Sequence, residues 1–110
     1  MRILLWKWSK AFDTKSKRQK AKLKFKDITD QFNLTENHPA IGETNIDLYI
    51  KELGDTFGRG FRNRKFKIKR YQNCVVLFYN AKNRIDLLPK IAAIGKKYQL
   101  NASEFEENFT

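Results

Sequence analysis

The chain has 110 residues, 41% of them hydrophobic and 14% aromatic, and a net charge of +11 at pH 7. These totals exclude an intrinsically disordered chain, which is poor in apolar and aromatic residues, and they fit one domain with a core of its own. No apolar run has the length of a membrane span, and the opening stretch MRILLWKW lacks the cleavage site of a signal peptide, so we expect a cytoplasmic protein.

The first predicted elements follow from the spacing of apolar residues. Residues 3–8 form an apolar run of strand-forming residues and predict a first strand, and residues 13–18 predict a loop. From residue 20 to 27, lysines alternate with apolar residues, which is the period of a β-strand. Ile28 and Phe32 then lie four positions apart and predict a short helix.

The middle of the chain predicts a helix followed by a hairpin. Residues 45–54 show the clearest helical spacing of apolar side chains, and glycines follow it. Residues 64–71 alternate again, whereas residues 74–79 are apolar at almost every position, which favours a central strand covered on both faces. With Gln72 and Asn73 as the turn, these strands predict a hairpin over residues 64–79.

The last third of the chain predicts one more helix. Proline inside a helix costs about 3 kcal/mol but is tolerated as the first helical residue, so we expect this helix to begin at Pro89. The acidic segment 101–110 is expected to be loosely held. Together these elements predict a small single α+β domain over residues 1–110, with an antiparallel sheet of about four strands packed against two to three helices.

Positive charge is concentrated in two segments. Residues 1–26 carry ten basic side chains and one acidic side chain, and residues 58–70 carry seven basic and no acidic side chains, while residues 27–57 have a net charge of −6. Each basic segment contains one of the alternating stretches, KLKFK and KFKIK. If both stretches lie in one sheet with the same face inward, their lysines share the outer face. Their mutual repulsion then favours a polyanionic partner, with nucleic acid as the first candidate.

This pattern predicts a non-enzymatic protein that binds DNA or RNA through phosphates, largely without sequence specificity, because lysine contacts to phosphate carry no sequence information. Alternatively, the alternating lysines serve only to protect an edge strand against aggregation. The predicted phosphate contacts are Lys20, Lys22, Lys24, Lys26, Arg59, Arg62, Arg64, Lys65, Lys67, Lys69 and Arg70. The predicted base-stacking residues are Trp6, Trp8, Phe61 and Tyr71.

Residues for other chemistry are scarce, and we predict no cofactor, metal site or catalytic group. His38 is the single histidine, which excludes a Cys/His metal site, and Cys74 is the single cysteine, so no internal disulfide forms. The apolar surroundings of Cys74 predict an inert core thiol. Gly54, Gly58 and Gly60 lack the spacing of a phosphate-binding loop.

Two alternatives rest on the order of helix, basic loop and hairpin. Helix 45–54 and hairpin 64–79 look like the recognition helix and wing of a winged-helix DNA-binding regulator, in which the hairpin would contact the backbone. The same order over residues 46–80 is similar to the ribosome-dependent mRNA-cleaving toxins. That resemblance implies a metal-independent ribonuclease. Its catalytic groups would be Arg62, Arg64, Lys69 and Tyr71.

A third alternative is a small protein-binding inhibitor or regulator, whose acidic helix or basic face meets another protein. The abundance of Lys, Asn, Phe and Ile is typical of AT-rich coding, as in phages and other mobile elements of low-GC bacteria. The salt dependence of binding distinguishes this alternative from nucleic-acid binding. Binding to phosphates weakens steeply as salt rises, whereas an apolar protein contact does not.

Overall fold

The two longest apolar runs form the two central strands of a four-stranded antiparallel sheet. The computed structural model describes residues 1–105, except for the side chain of Phe61. Its strands are β1 (Arg2–Trp6), β2 (Phe66–Arg70), β3 (Val75–Tyr79) and β4 (Asn101–Glu104), in the order β2-β3-β1-β4. The predicted α+β class, first strand and hairpin are confirmed. The Tyr71 N–H donates to the Cys74 carbonyl at 2.9 Å, which leaves Gln72 and Asn73 as the turn.

The described residues contain four helices, one more than the largest number expected. They are α1 (Lys15–Lys20), α2 (Phe25–Thr35), α3 (Ile46–Phe57) and α4 (Arg84–Lys97). Of these, α2, α3 and α4 pack on the sheet. Short 3-10 turns occupy Gly60–Arg62 and Ala81–Asn83. The predicted helix at 45–54 is confirmed as α3 and continues one turn further, until Gly58 adopts a positive φ of 97°.

The sheet is covered by helices on both faces. On one face, Leu5 and Leu77 pack with the buried side chains of α3 and α4, and the Tyr49 hydroxyl of α3 donates to the Ile91 carbonyl of α4 at 3.0 Å. We call this the α3–α4 face. On the opposite face, which we call the α2 face, Leu4, Trp6 and Val76 pack with Ile28 and Phe32 of α2. Two covered faces explain why β1 and β3 are apolar at successive positions.

The prediction of a strand over residues 20–27 is wrong. Lys20 ends α1, Lys22 has a left-handed φ of 53°, and α2 begins at Phe25. The physical reason is the longer helical stripe, since Phe25, Ile28 and Phe32 share one side of α2 and the last two are buried against the sheet. Of the three alternating apolar residues, Ala21 and Phe25 are exposed and only Leu23 is partly buried, so the alternation buries less than that stripe. The six-lysine sheet face therefore does not form, and β2 is the edge strand that carries lysines.

Helix α4 begins five residues before the predicted start, so Pro89 lies inside it. Proline removes the hydrogen bond to the carbonyl four residues earlier, that of Ile85. Ile85 is 83% exposed, so water can reach that region, while Leu87 and Ile91 are buried and hold the helix on the sheet. Part of the segment expected to be loose, Asn101–Glu104, forms β4, and residues 106–110 lie outside the described part of the chain.

The hairpin agrees with the winged-helix resemblance, but the packing of the helices does not. A recognition helix packs against the helix before it, whereas α2 and α3 cover opposite faces of the sheet. The charges of α3 are also engaged by the body of the protein. Asp47 and Glu52 accept hydrogen bonds from Arg70 and Lys97.

His38 gives a prediction for stability and pH. The side chain is buried, and its Nδ1 accepts the N–H of the buried Ala40 at 2.9 Å. Burial lowers the pKa of His38 from its ordinary value of 6.5, so folding favours the neutral ring. The unfolded chain then binds the proton more readily, and this contribution is present above about pH 6.5 and is lost as the pH falls below it.

We expect His38→Ala to lower the free energy of unfolding by about 1–3 kcal/mol at neutral pH, because the Ala40 N–H loses its acceptor. The difference from the wild type should shrink under acidic conditions, where the wild-type ring is protonated on unfolding. Urea unfolding of both proteins above and below the ordinary histidine pKa measures this. An equal difference at both pH values would contradict the assignment.

Candidate nucleic-acid interface

The eleven predicted phosphate contacts do not form one surface. Lys20, Lys22, Lys24 and Lys26 lie at the end of α1 and the start of α2, whereas the other seven lie on β2 and in the loop before it. Since the order of the strands places β2 next to β3 alone, no second lysine-rich strand borders it. The two groups must therefore be considered separately.

Four of the predicted contacts are engaged in ion pairs. Arg70 donates twice to Asp47, at 2.7 and 3.1 Å, and this bond lowers the pKa of the Asp47 carboxyl. The other three pairs are Lys26 with Asp30, Arg59 with Asp55, and Lys69 with Glu36. All four pairs are solvent-exposed, so they contribute little to stability. A phosphate would nevertheless have to compete with a carboxylate at each of these positions.

One group of basic side chains without a carboxylate partner among the described residues lies at the end of the sheet where β2 begins and β3 ends. A concavity of about 720 Å³ there, which we call the basin, is lined by Arg64, Lys65, Lys67 and Lys82. Within the described part of the chain, no carboxylate lines the basin and none pairs with these four side chains. The positive field at this point is therefore not neutralised locally.

Side-chain amides fix the backbone around the basin. The Asn63 Oδ1 accepts the N–H groups of Lys65 and Phe66 at 3.0 and 3.2 Å, and the Asn80 Oδ1 accepts the N–H of Lys82 at 3.1 Å. Such turns between a side chain and the backbone are characteristic of asparagine. They hold the backbone from which three of the basic side chains project.

Phe78 is an aromatic residue at the basin that is not among the predicted stacking residues. It lies on β3, is 38% exposed, and is paired across the strands with Lys67 on one side and Arg2 on the other. It also lines the basin. The Arg2 guanidinium packs 4.3 Å from the centroid of the Phe105 ring. A phenyl ring on an open sheet face, beside cations, is a surface on which a nucleobase can stack.

Of the predicted stacking residues, Trp6 is excluded by its position. Its side chain is 0% exposed and its indole N–H donates to the Ser103 hydroxyl at 3.0 Å. Trp8 is half-buried against Trp6, with the Arg18 guanidinium 4.5 Å from its ring centroid. Tyr71 is half-buried too and packs edge-on against Phe32. The side chain of Phe61 lies outside the described part of the structure.

A second basic cluster surrounds α1. We call Lys15, Lys20, Lys22 and Lys24 the α1 cluster, and none of them pairs with a carboxylate of the described residues. Helix α1 contributes no buried residue, so its sequence is not determined by core packing. Arg18 anchors it, through its contact with Trp8 and a hydrogen bond of 3.1 Å to the Phe12 carbonyl.

The four groups implied by the ribonuclease resemblance are not gathered in one place. Arg62 and Arg64 precede β2, whereas Lys69 and Tyr71 lie at its far end. The Tyr71 hydroxyl and the Lys69 ammonium lie 3.5 and 3.4 Å from the same Glu36 oxygen. Hydrogen bonding to Tyr71 and the charge of Glu36 raise the pKa of Lys69, so this lysine stays protonated and is unsuited to act as a base.

Other sites for chemistry are not apparent in the part of the chain that the structure covers. Residues 1–105 contain no group of three or more His, Cys, Asp or Glu side chains placed to hold a metal ion, and none of their helices is long and apolar enough to cross a membrane. Burial raises the pKa of the Cys74 thiol to about 11, so it is not a thiolate at neutral pH.

An apolar groove of about 830 Å³ runs between α3 and the free edge of β2. Ile50, Phe66 and Ile68 line it, and Ile68 is partly exposed. Two of its charged residues, Asp47 and Arg59, are held in the ion pairs described above. The groove thus presents mainly apolar surface, with Lys51 and Lys67 as its lysines, and such a surface suits a protein contact better than phosphate.

Comparison with known proteins assigns neither a family nor a function to this chain. No protein family model, curated protein or solved structure matches this chain. The function therefore has to be inferred from the charges and geometry of the site itself.

Proposed function

We propose that this protein binds single-stranded DNA or RNA at the basin, largely without sequence specificity. The observation that carries the proposal is the position of Phe78, exposed between two cationic neighbours at the edge of a concavity that no described carboxylate lines. Two features of a nucleotide, its anionic phosphate and its flat base, find complementary groups there.

The lysines and the arginine of the basin would take the phosphates. Arg64 can bind a phosphate through two parallel N–H groups, while Lys65, Lys67 and Lys82 act as point charges. A duplex keeps its bases stacked inside the helix, so stacking on Phe78 requires an unpaired base. This is the reason for proposing a single strand. Stacking on a phenyl ring accepts every base, which agrees with low sequence specificity.

The test is binding of labelled oligothymidine, measured by fluorescence anisotropy across a salt series. We expect the triple variant Lys65→Gln, Lys67→Gln, Lys82→Gln to bind more weakly than the wild type. The slope of log K against log salt should fall in magnitude by about 2, since each phosphate contact to a single strand contributes about 0.7.

The matched control changes Lys51, Lys90 and Lys96 to Gln, which removes the same charge from exposed positions on α3 and α4. This control should keep the wild-type slope. If the slope of log K against log salt is the same in the two variants, the strand binds at another surface or responds only to the net charge of the protein. Absence of binding by the wild type at low salt to oligothymidine, oligouridine and duplex DNA would contradict the proposed function, and the groove beside α3 would become the surface to test with protein partners.

A further inference from the structure

The α1 cluster and the basin lie at opposite ends of β1. The basin adjoins Arg2, through its pairing with Phe78, and the α1 cluster adjoins Trp8, through Arg18. Arg2 and Trp8 are six residue steps apart along an extended stretch, which corresponds to about 20 Å. The two groups of cations are therefore distinct sites in space.

Helix α2 lies across the sheet between them. Its first residue, Phe25, packs near Trp8, and Phe32 packs against Phe105, which in turn lies under Arg2. The outer side of α2 exposes Asp27, Asp30 and the neighbouring Glu36. A phosphate backbone that crossed from one cluster to the other over this face would meet these carboxylates, so the face does not offer a continuous positive track.

We infer that the α1 cluster is a second, independent site for nucleic-acid phosphates, and that one molecule of this protein holds two strands at once. This inference rests on the proposed function of the basin. The helix KSKRQK contains no apolar residue, so α1 itself has no apolar stripe, and Phe25 beside Lys24 is a single exposed ring rather than a stripe. A helix that binds an acidic membrane needs an apolar face to insert, which favours nucleic acid over lipid as the partner.

The experiment mixes two oligothymidine pools, one with a donor dye and one with an acceptor dye, and measures energy transfer as protein is added. Three triple variants of equal charge are compared with the wild type. One carries Lys20→Gln, Lys22→Gln and Lys24→Gln in the α1 cluster, the second is the basin variant, and the third is the α3–α4 control defined above. All nine positions are exposed, so we expect the fold to be retained, and circular dichroism checks this.

We expect energy transfer with the wild type and the control. Each single-cluster variant should lose most of the transfer while still binding one strand in the anisotropy assay. Transfer that persists in both single-cluster variants would show that bridging arises from self-association and would overturn the inference. Loss of all strand binding in the basin variant would also overturn it, because the α1 cluster would then not bind alone, while the proposed function of the basin would stand.

Two further results separate the inference from the proposal on which it rests. If the wild type binds a single strand but gives no energy transfer at any protein ratio, the second site is absent and the first remains. If the wild type binds no strand at all, both fail together. A parallel arm uses vesicles with an anionic phospholipid, and retention that depends on the α1 cluster without strand bridging would assign this cluster to a membrane surface and overturn the inference.

Discussion

Replacement of Trp6 by alanine is expected to lower the free energy of unfolding by about 3–5 kcal/mol, the largest effect of a single substitution considered for this protein. The side chain is completely buried between β1 and α2, and its indole N–H is the donor to the Ser103 hydroxyl. The substitution therefore leaves a large cavity and removes a buried hydrogen bond. Urea unfolding followed by circular dichroism measures the loss.

Trp8→Ala is the matched control, since it removes the same side chain from a half-buried position two residues away. We expect a clearly smaller loss of stability from it, because part of its ring is already in water. A Trp6→Ala protein that is as stable as the wild type but fails to bind oligothymidine would contradict this account. It would restore Trp6 to the stacking role that its position in the sequence suggested.

Replacement of Phe78 by alanine is expected to have the largest effect of a single substitution on binding. Loss of one stacked base costs about 1–3 kcal/mol, which corresponds to a reduction in affinity of about 5- to 150-fold. Because stacking does not involve charge, the salt dependence should stay close to that of the wild type. Anisotropy titrations with oligothymidine across salt concentrations measure both quantities.

Ile85→Ala serves as the control for Phe78→Ala, since Ile85 is an exposed apolar residue on α4 that does not line the basin. Its affinity should match that of the wild type. The stability of the Phe78→Ala protein also has to be measured, because part of the ring packs on the sheet. If Phe78→Ala binds as tightly as the Ile85→Ala protein, the base does not stack on this ring and the proposed single-strand preference loses its support.

The sequence was sufficient to predict the central elements of the fold. In β3, apolar residues at successive positions predicted a strand covered on both faces, and the two layers of helices confirm it. In α3, three buried side chains at helical spacing gave an unambiguous period. The apolar patterns of β3 and α3 extend over the whole element. They follow from burial of apolar side chains, which is the dominant favourable contribution to folding.

The strand predicted over residues 20–27 and the predicted start of α4 were wrong. In both, a short pattern in the sequence disagreed with the way the helix packs against the sheet. The alternation of Ala21, Leu23 and Phe25 with lysines was real, yet α2 buries Ile28 and Phe32 against the sheet, which is a larger apolar surface. The backbone preference of Pro89 predicted that α4 begins at this residue. The helix instead runs through Pro89, because Leu87 before it and Ile91 after it are both buried against the sheet. Packing against the sheet decided both cases, and a single sequence does not contain that information directly.

The candidate site was predicted in part. The basic character of residues 64–67 was visible, but the separation of the α1 cluster from β2 depended on the order of the strands. Phe78 was hidden within an apolar run, because the sequence does not show that α2, an eleven-residue helix, leaves one end of the sheet uncovered. Lys82 was missed because it is a single lysine in a turn, and its place in the basin follows from the end of β3 alone.

The proline inside α4 gives the two ends of that helix different resistance to local opening. Leu87 anchors the first turn in the core, and Ile91 and Ile94 anchor the later turns, but the carbonyl of Ile85 in the first turn lacks the backbone donor that Pro89 cannot supply. The amides of Leu88 and Lys90, whose hydrogen bonds flank the missing one, should therefore exchange with solvent deuterium faster than those after Ile91. The end of α4 that follows the basin residues Lys82 and Asn83 can thus open locally while the sheet and its main core stay intact.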